Sequence, residues 1–191
     1  MKNPKHENFL ANLISLPNIR TIVSFYGGMN IYKWLCFAIS SGFGVGYFPF
    51  ASGTAGSLAI LPFAFATAYF YGITGVVVLA TLIFIVGTIT TVEVLKYTSH
   101  DPSLVVIDEV VGQLITFLPV ANYLRGNTKD WWIYIVGFFL FRLFDIVKPW
   151  PAGKIDRDML NSWGVMLDDA FAGIYAALVL LLIFAEGGRI K

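Results

Sequence analysis

The chain has 191 residues, 57% of them hydrophobic and 13% charged, with a formal net charge of +1. Soluble domains carry about 25% charged residues, so a water-soluble globule is excluded, and the absence of a basic stripe excludes a nucleic-acid binder. No formal charge occurs between Trp34 and Val92, which points to an integral membrane protein folded as one helical bundle.

In chain order, MKNPKHENFLANLISLPNIR has apolar positions interrupted by Asn and Pro and no long apolar core, so it reads as an amphipathic surface segment and not as a signal peptide. Residues 31–41 are apolar over about eleven positions, too few to cross ~30 Å of hydrocarbon. They run into the glycine-rich SGFGVGYFPFASGTAGS and are expected to be interfacial or re-entrant. Five membrane helices are then expected, at 56–71, 73–93, 108–124, 130–148 and 167–186. The clearest is the apolar run from Ile73 to Val92, close to the ~20 residues a bilayer requires. The fold class is all-α: a polytopic membrane helical bundle of about five membrane helices behind an N-terminal interfacial segment, divided as 1–41 and 42–186. Cys36 is the one cysteine, so there is no disulfide framework or thiolate cluster, and it is expected to be a buried apolar residue.

Helices that alternate in direction bring SGTAGS, VVIDE, FRLFDIVKPWP and MLDD to one side of the membrane. That side, with the N-terminus, carries Lys2, Lys5, Arg20, Lys33, Lys96, Lys148, Lys154 and Arg157, against Arg125, Lys129, Arg189 and Lys191 opposite. By the positive-inside rule the polar motifs face the cytoplasm. VVIDEVVGQ from Val105 and VMLDDAFAG from Val165 share one pattern, either a duplicated helix start or a coincidence.

Seven of the twelve acids fall in these motifs: Asp108 and Glu109; Asp145, Asp156 and Asp158; Asp168 and Asp169. A charge within the membrane costs about 2.5–3.5 kcal/mol on insertion scales, and converging carboxylates repel one another. One acid of each doublet suffices to cap a helix start; the second calls for a hard cation such as Mg²⁺, which takes oxygen ligands. Arg142, Asp145 and Lys148, three apart, lie on neighbouring parts of one helical face. They form either a structural ladder, with Asp145 paired to Arg142 and Lys148 snorkelling, or a site in which Asp145 binds metal while the two cations clamp a phosphate. Asp156 and Arg157, in KIDRDML, either reach this site or belong to a solvated loop. Gly53, Thr54 and Ser57, in GTAGS, are either a flexible linker or a backbone cradle for an anion before a helix start. Cys36 has no arginine six residues on, which removes a cysteine-phosphatase loop. His6 and His100 form no ligand pair, which removes zinc.

GTAGS, VVIDEVVGQ, FRLFDIVKPWP and GVMLDD, in this order and spacing, resemble the phosphatidylglycerophosphatase A family of bacteria, over about Gly42 to Ala185. FR-x-x-D-x-x-KPWP followed by DD is the specific part; Ser52 stands where many relatives have proline. The resemblance implies a Mg²⁺-dependent, multi-pass inner-membrane enzyme among membrane lipids. Its substrate would be phosphatidylglycerophosphate, and its action the last step to phosphatidylglycerol.

The expected reaction is direct hydrolysis. Mg²⁺ is expected on some of Asp108, Glu109, Asp145, Asp168 and Asp169, with Arg142, Lys148 and Arg157 balancing phosphoryl charge. A free carboxylate, Asp169 or Asp156, would act as general base, and a phospho-aspartyl route is the alternative. The rival function is a small transporter or channel for an anion or divalent cation, which requires polar groups through the depth of the membrane.

Overall fold

The computed structural model describes residues 30–98 and 103–186, and every regular element in them is helical. The surface-segment expectation for the N-terminus, and His100, lie outside the described residues. The chain divides into two units, residues 1–35 and 36–191, and the site described below lies wholly within the second. Six α-helices occur among the described residues: α1 (Ile31–Ser40), α2 (Ser52–Val94), α3 (Ile107–Thr116), α4 (Trp132–Val147), α5 (Ala152–Asp158) and α6 (Ser162–Glu186). Cys36 is buried in α1, as expected.

The long element α2 is apolar around its whole circumference and bends at Gly72, whose φ of 60° and ψ of −147° suit a residue without a Cβ. The bend sends the chain back along itself. Gly56, before it, lies against Val106, and Gly87, after it, lies against Ile107. Near that end the Ser40 hydroxyl donates to Thr90 Oγ1 at 3.0 Å. At the other end the Ile73 amide donates to Asn122 Oδ1 at 2.9 Å, which satisfies a donor freed by the bend. Ala64, Ala68, Val76 and Ala80 face the core, small residues that let helices approach closely.

The expectation of five membrane helices is not supported. Two described helices, Ser52–Val94 and Ser162–Ala185, are long and apolar enough to cross a membrane. The segments expected at 56–71 and 73–93 are the two arms of α2, separated at Gly72, and the first of them starts at Ser52 and not at 56. The segment expected at 108–124 is helical for ten residues and then tightens into a 3₁₀ turn, Leu118–Val120. Pro119 supplies no amide to continue it. Helix α4, at 16 residues, spans roughly 24 Å and falls short of ~30 Å. Helix α6 begins at Ser162 and not at 167. Asn161 precedes its first turn and accepts from the Gly164 amide at 3.1 Å, an N-cap arrangement.

Only 28% of the most apolar window of α2 is buried, and 44% of that of α6. Phe63, Phe70, Leu82 and Ile85 on α2 and Leu178 and Leu182 on α6 are exposed. Apolar helices that keep such side chains outward are suited to lipid and not to a soluble core, and the protein is membrane-associated.

Candidate active site

Helices α3 and α6 run parallel and cross very closely. A Cβ on Gly112 would collide with the Asp169 carbonyl and the Phe141 ring, and one on Gly173 would collide with the Gly112 backbone. Four residues before each of these glycines comes an acid, Asp108 and Asp169, so the close crossing draws the two doublets together. Helix α4 lies against them through Phe141, which packs on Ala172 and Ala176. The next residue of α4 is Arg142, and one turn beyond Phe141 comes Asp145. The chain then turns at Lys148, held in the left-handed region at φ 44°, a conformation that costs a non-glycine residue roughly 1–2 kcal/mol. Tyr175 of α6 donates to the Trp150 carbonyl at 2.6 Å and holds the turn that leads into α5.

These elements enclose a cavity of about 70 Å³ lined by Asp108, Glu109, Asp145, Lys148, Asp156, Gly164, Val165, Asp168 and Asp169. At ~30 Å³ per water, that is the space of about two waters, room for an ion together with an oxygen of an incoming phosphoryl group. Carboxylate oxygens of Asp108, Glu109 and Asp169 lie within 4.8 Å of one another. Asp108 and Asp168 are used alike: each Oδ1 accepts from the next residue's amide at 3.0 Å. The repeated pattern noted in the sequence is therefore a repeated local geometry.

Two cations answer part of this charge. Lys148 Nζ donates to Asp156 Oδ1 at 2.8 Å and to Asp168 Oδ2 at 2.7 Å. Burial alone would lower its pKa; the hydrogen bonds and charges of Asp156 and Asp168 outweigh that and hold it above the ordinary lysine value. Arg142 Nη1 pairs with Asp145 Oδ2 at 2.6 Å. That pair lacks hydrogen-bond alignment, and Arg142 Nε and Glu109 Oε2 are buried without a hydrogen-bond partner. Six carboxylates thus meet two cations, a formal excess of four negative charges when every group is ionised.

The arrangement fits a hard divalent cation. The donors are all oxygen, Asp108 and Asp169 are buried, and Glu109 keeps one buried oxygen unsatisfied. Asp130, at the far end, shows what a structural acid in this fold looks like. Its carboxylate accepts from the Tyr123 hydroxyl at 2.5 Å, Asn127 Nδ2 at 2.9 Å and Trp132 Nε1 at 3.1 Å.

Of the residues expected at the site, Asp108, Glu109, Asp145, Lys148, Asp156, Asp168 and Asp169 line the cavity, and Arg142 sits behind Asp145 beside Glu109. Arg157 is exposed in the last turn of α5 and does not line it. The glycine-rich linker or cradle at Gly53, Thr54 and Ser57 is instead the first helical turns of α2. Ser57 is buried and donates to the Gly53 carbonyl at 2.9 Å. Gly53 matters for its missing Cβ, which would overlap Glu109 Oε1. The acids do not act as N-caps: Val106 holds that position in α3, and the first turn of α6 contains no acid. Nor does Lys148 snorkel, since its ammonium turns inward to Asp156 and Asp168.

Sequence reasoning passed over Gly112 and Gly173, which set the crossing, and Gln113. Gln113 is fully buried one turn beyond Glu109, and neither amide atom has a hydrogen-bond partner. A glutamine within an apolar helix, four residues from a site acid, was the available signal.

Residues 38–184 match the family model described as Phosphatidylglycerophosphatase A. A protein of Bacteroides thetaiotaomicron that carries the provisional name phosphatidylinositol-3-phosphatase is 38% identical over 152 residues, 74% of this chain and 89% of that protein. The phosphatidylglycerophosphatase A of Escherichia coli is 33% identical over 150 residues, 76% of this chain and 81% of its own. That of Haemophilus influenzae is 32% identical over 149 residues, 76% and 86% respectively. No solved structure matches the chain.

Proposed function

Because this chain belongs to the phosphatidylglycerophosphatase A family, a family of phosphatases, we propose that it hydrolyses phosphatidylglycerophosphate to phosphatidylglycerol and phosphate. It would do so as a multi-pass protein of a bacterial inner membrane, with its site toward the cytoplasm. The observation that carries the reading is the meeting of both acid doublets, Asp145 and Asp156 with Lys148 in one small cavity, at one end of apolar helices. A transporter would need polar groups along its depth; the cavity next to this one is lined almost wholly by apolar side chains.

Asp108, Glu109 and Asp169 would hold Mg²⁺, with Asp145 and Asp168 as further oxygen donors. When bound, the ion supplies Lewis-acid polarisation of the phosphoryl group and neutralises the carboxylates around it. Lys148 would balance charge on the phosphoryl oxygens from the cavity wall, and Arg142, paired with Asp145 behind that wall, would do so through the charge of its guanidinium. Asp156, held by Lys148, takes the proton of the attacking water; Asp169 is the other candidate, and in that role it would leave the ion to Asp108, Glu109 and the further donors Asp145 and Asp168. The water oxygen bonds to phosphorus as the P–O ester bond breaks, the electron pair of that bond leaves on the head-group oxygen, and the proton taken up by the carboxylate passes to that oxygen. A specific observation favours a second reading: the relative at 38% identity is named for a 3-phosphate of phosphatidylinositol, another phosphate monoester on a lipid head group.

The test is phosphate release by the purified protein from each lipid in mixed micelles, with EDTA and after Mg²⁺ is restored. Faster hydrolysis of phosphatidylglycerophosphate, abolished by EDTA and recovered with Mg²⁺, is expected. Preference for the inositol lipid would overturn the substrate, and full turnover in EDTA would overturn the ion.

A further inference from the structure

A second cavity, about 580 Å³, lies between the two arms of α2, the start of α3, and the end of α1 with the turn that follows it, at Ile39, Gly42, Phe43 and Val45. That volume falls in the range of small-molecule sites, roughly 300–1,000 Å³. Ile60, Phe63, Leu79, Ile83 and Val110 are among its lining residues, and Thr67 is the one polar side chain there. Nothing in the chemistry described above uses it. We propose that this groove seats one acyl chain of the lipid whose phosphate enters the acid cavity; the inference rests on the lipid-phosphatase reading.

Continuity with the acid site is the first argument. Ile107 and Val110 line the groove, while Asp108 and Glu109, between them, line the acid cavity. The first turn of α3 is a wall common to both. On α2, Gly56 lines the groove and Gly53, roughly 4.5 Å along the axis, touches Glu109. Length is the second argument. From Gly56 to Thr67 the groove follows α2 for roughly 16 Å away from the acids, the direction an acyl chain takes from its head group. Access is the third. Phe63, Leu82 and Val86 line the groove yet remain exposed, so it opens sideways onto the lipid-facing surface. A chain can enter from the bilayer without crossing water, and bulk lipid or a second protein copy would not need a route that ends at the acids.

Ala59→Phe would fill the groove without altering a site residue, and Leu58→Phe, on an exposed neighbour that does not line it, is the control. With dipalmitoyl phosphatidylglycerophosphate, A59F should lower kcat/KM about tenfold or more, the scale set by lost apolar pocket contacts. With the deacylated head group, glycerophosphoryl-glycerophosphate, A59F should match wild type, and L58F should match it on both. Equal effects of A59F on the two substrates, or none on either, would overturn the proposal. A second measurement needs no variant. Phosphatidylglycerophosphate carrying a mid-chain diazirine, photolysed in vesicles with the wild-type protein, should label Phe63, Leu79 or Ile83 in excess of outward Phe70 and Leu178. Label no higher in the groove than on those outer residues would overturn it even if A59F does not fold. Wild type that hydrolyses neither substrate yet labels in the groove would sink the phosphatase reading and leave the acyl site standing.

Discussion

Glu109 and Asp130 are both partly buried carboxylates in one small membrane protein, and their surroundings are opposite. Asp130 accepts from three side-chain donors; Glu109 has a buried oxygen with no hydrogen bond and shares its space with Asp108 and Asp169. Two like charges about 5 Å apart repel by roughly 3 kcal/mol at an effective dielectric of ~20. Removing the charge of Glu109 while keeping its shape relieves that repulsion, and Arg142 retains Asp145 at 2.6 Å. Glu109→Gln is therefore expected to cut phosphatase activity by more than the roughly 10–100-fold typical of residues that only support a metal ligand. In EDTA it should stabilise the fold by about 1 kcal/mol, a fraction of one such repulsive pair. Asp130→Asn should do the reverse, keeping activity while losing about 1–3 kcal/mol through donors left unmatched. Phosphate release and thermal unfolding in detergent, run on both variants, check this; E109Q that is active, or less stable in EDTA, would contradict it. At this scale the sequence was highly legible, because an acid is costly to place in an apolar helix and seldom lies there without a purpose. The partners were less legible. That Lys148 would bridge Asp156 and Asp168 depends on a left-handed turn that no spacing rule reveals.

Element boundaries divide into those with a local chemical cause and those set by packing. The break at Gly72 was legible, since it is a glycine between two apolar runs. Its backbone angles bear this out, and a Cβ there would stand 2.7 Å from Asn122 Oδ1, the acceptor for the Ile73 amide. Gly72→Ala is expected to cost about 1–3 kcal/mol from backbone strain, seen as a lower unfolding temperature. The specific activity of the folded fraction should stay the same, because the acid cavity lies at the opposite end of the arms; an unchanged unfolding temperature would count against the bend. The start of α2 was misread because GTAGS resembles a loop in isolation. Gly53 and Gly56 sit in a helix so that Glu109 and Val106 can press against it, a tertiary fact. The start of α6 carried a local signal, Asn161 three residues before Gly164, overshadowed by the acids of MLDD.

At the scale of the whole chain, the convergence of motifs on one end was legible from helix alternation, whereas the number of spans was not. Counting apolar segments treats every run as a span, yet α3 stops at Thr116 and α4 at 16 residues. What survives is polarity. The Gly72 bend, Asn122, Lys129 and Asp130 belong to one end; Thr90, the acid cavity and α5 belong to the other. Lys96, Lys148, Lys154 and Arg157 lie toward the cavity end against Arg125 and Lys129 at the bend, and lysine and arginine in short loops favour the cytoplasm. Lys154 and Lys129 are both exposed, and the native Cys36 is buried, so single cysteines at these two positions would report topology against a quiet background. With a membrane-impermeant maleimide, Lys129→Cys is expected to label in spheroplasts and Lys154→Cys only in inverted vesicles. The reverse pattern would put the acids outside and exclude a substrate made in the cytoplasm. Labelling of both from one side would mean that the arms of α2 do not cross, and the exposed faces of Phe63, Phe70 and Leu82 would need another cover.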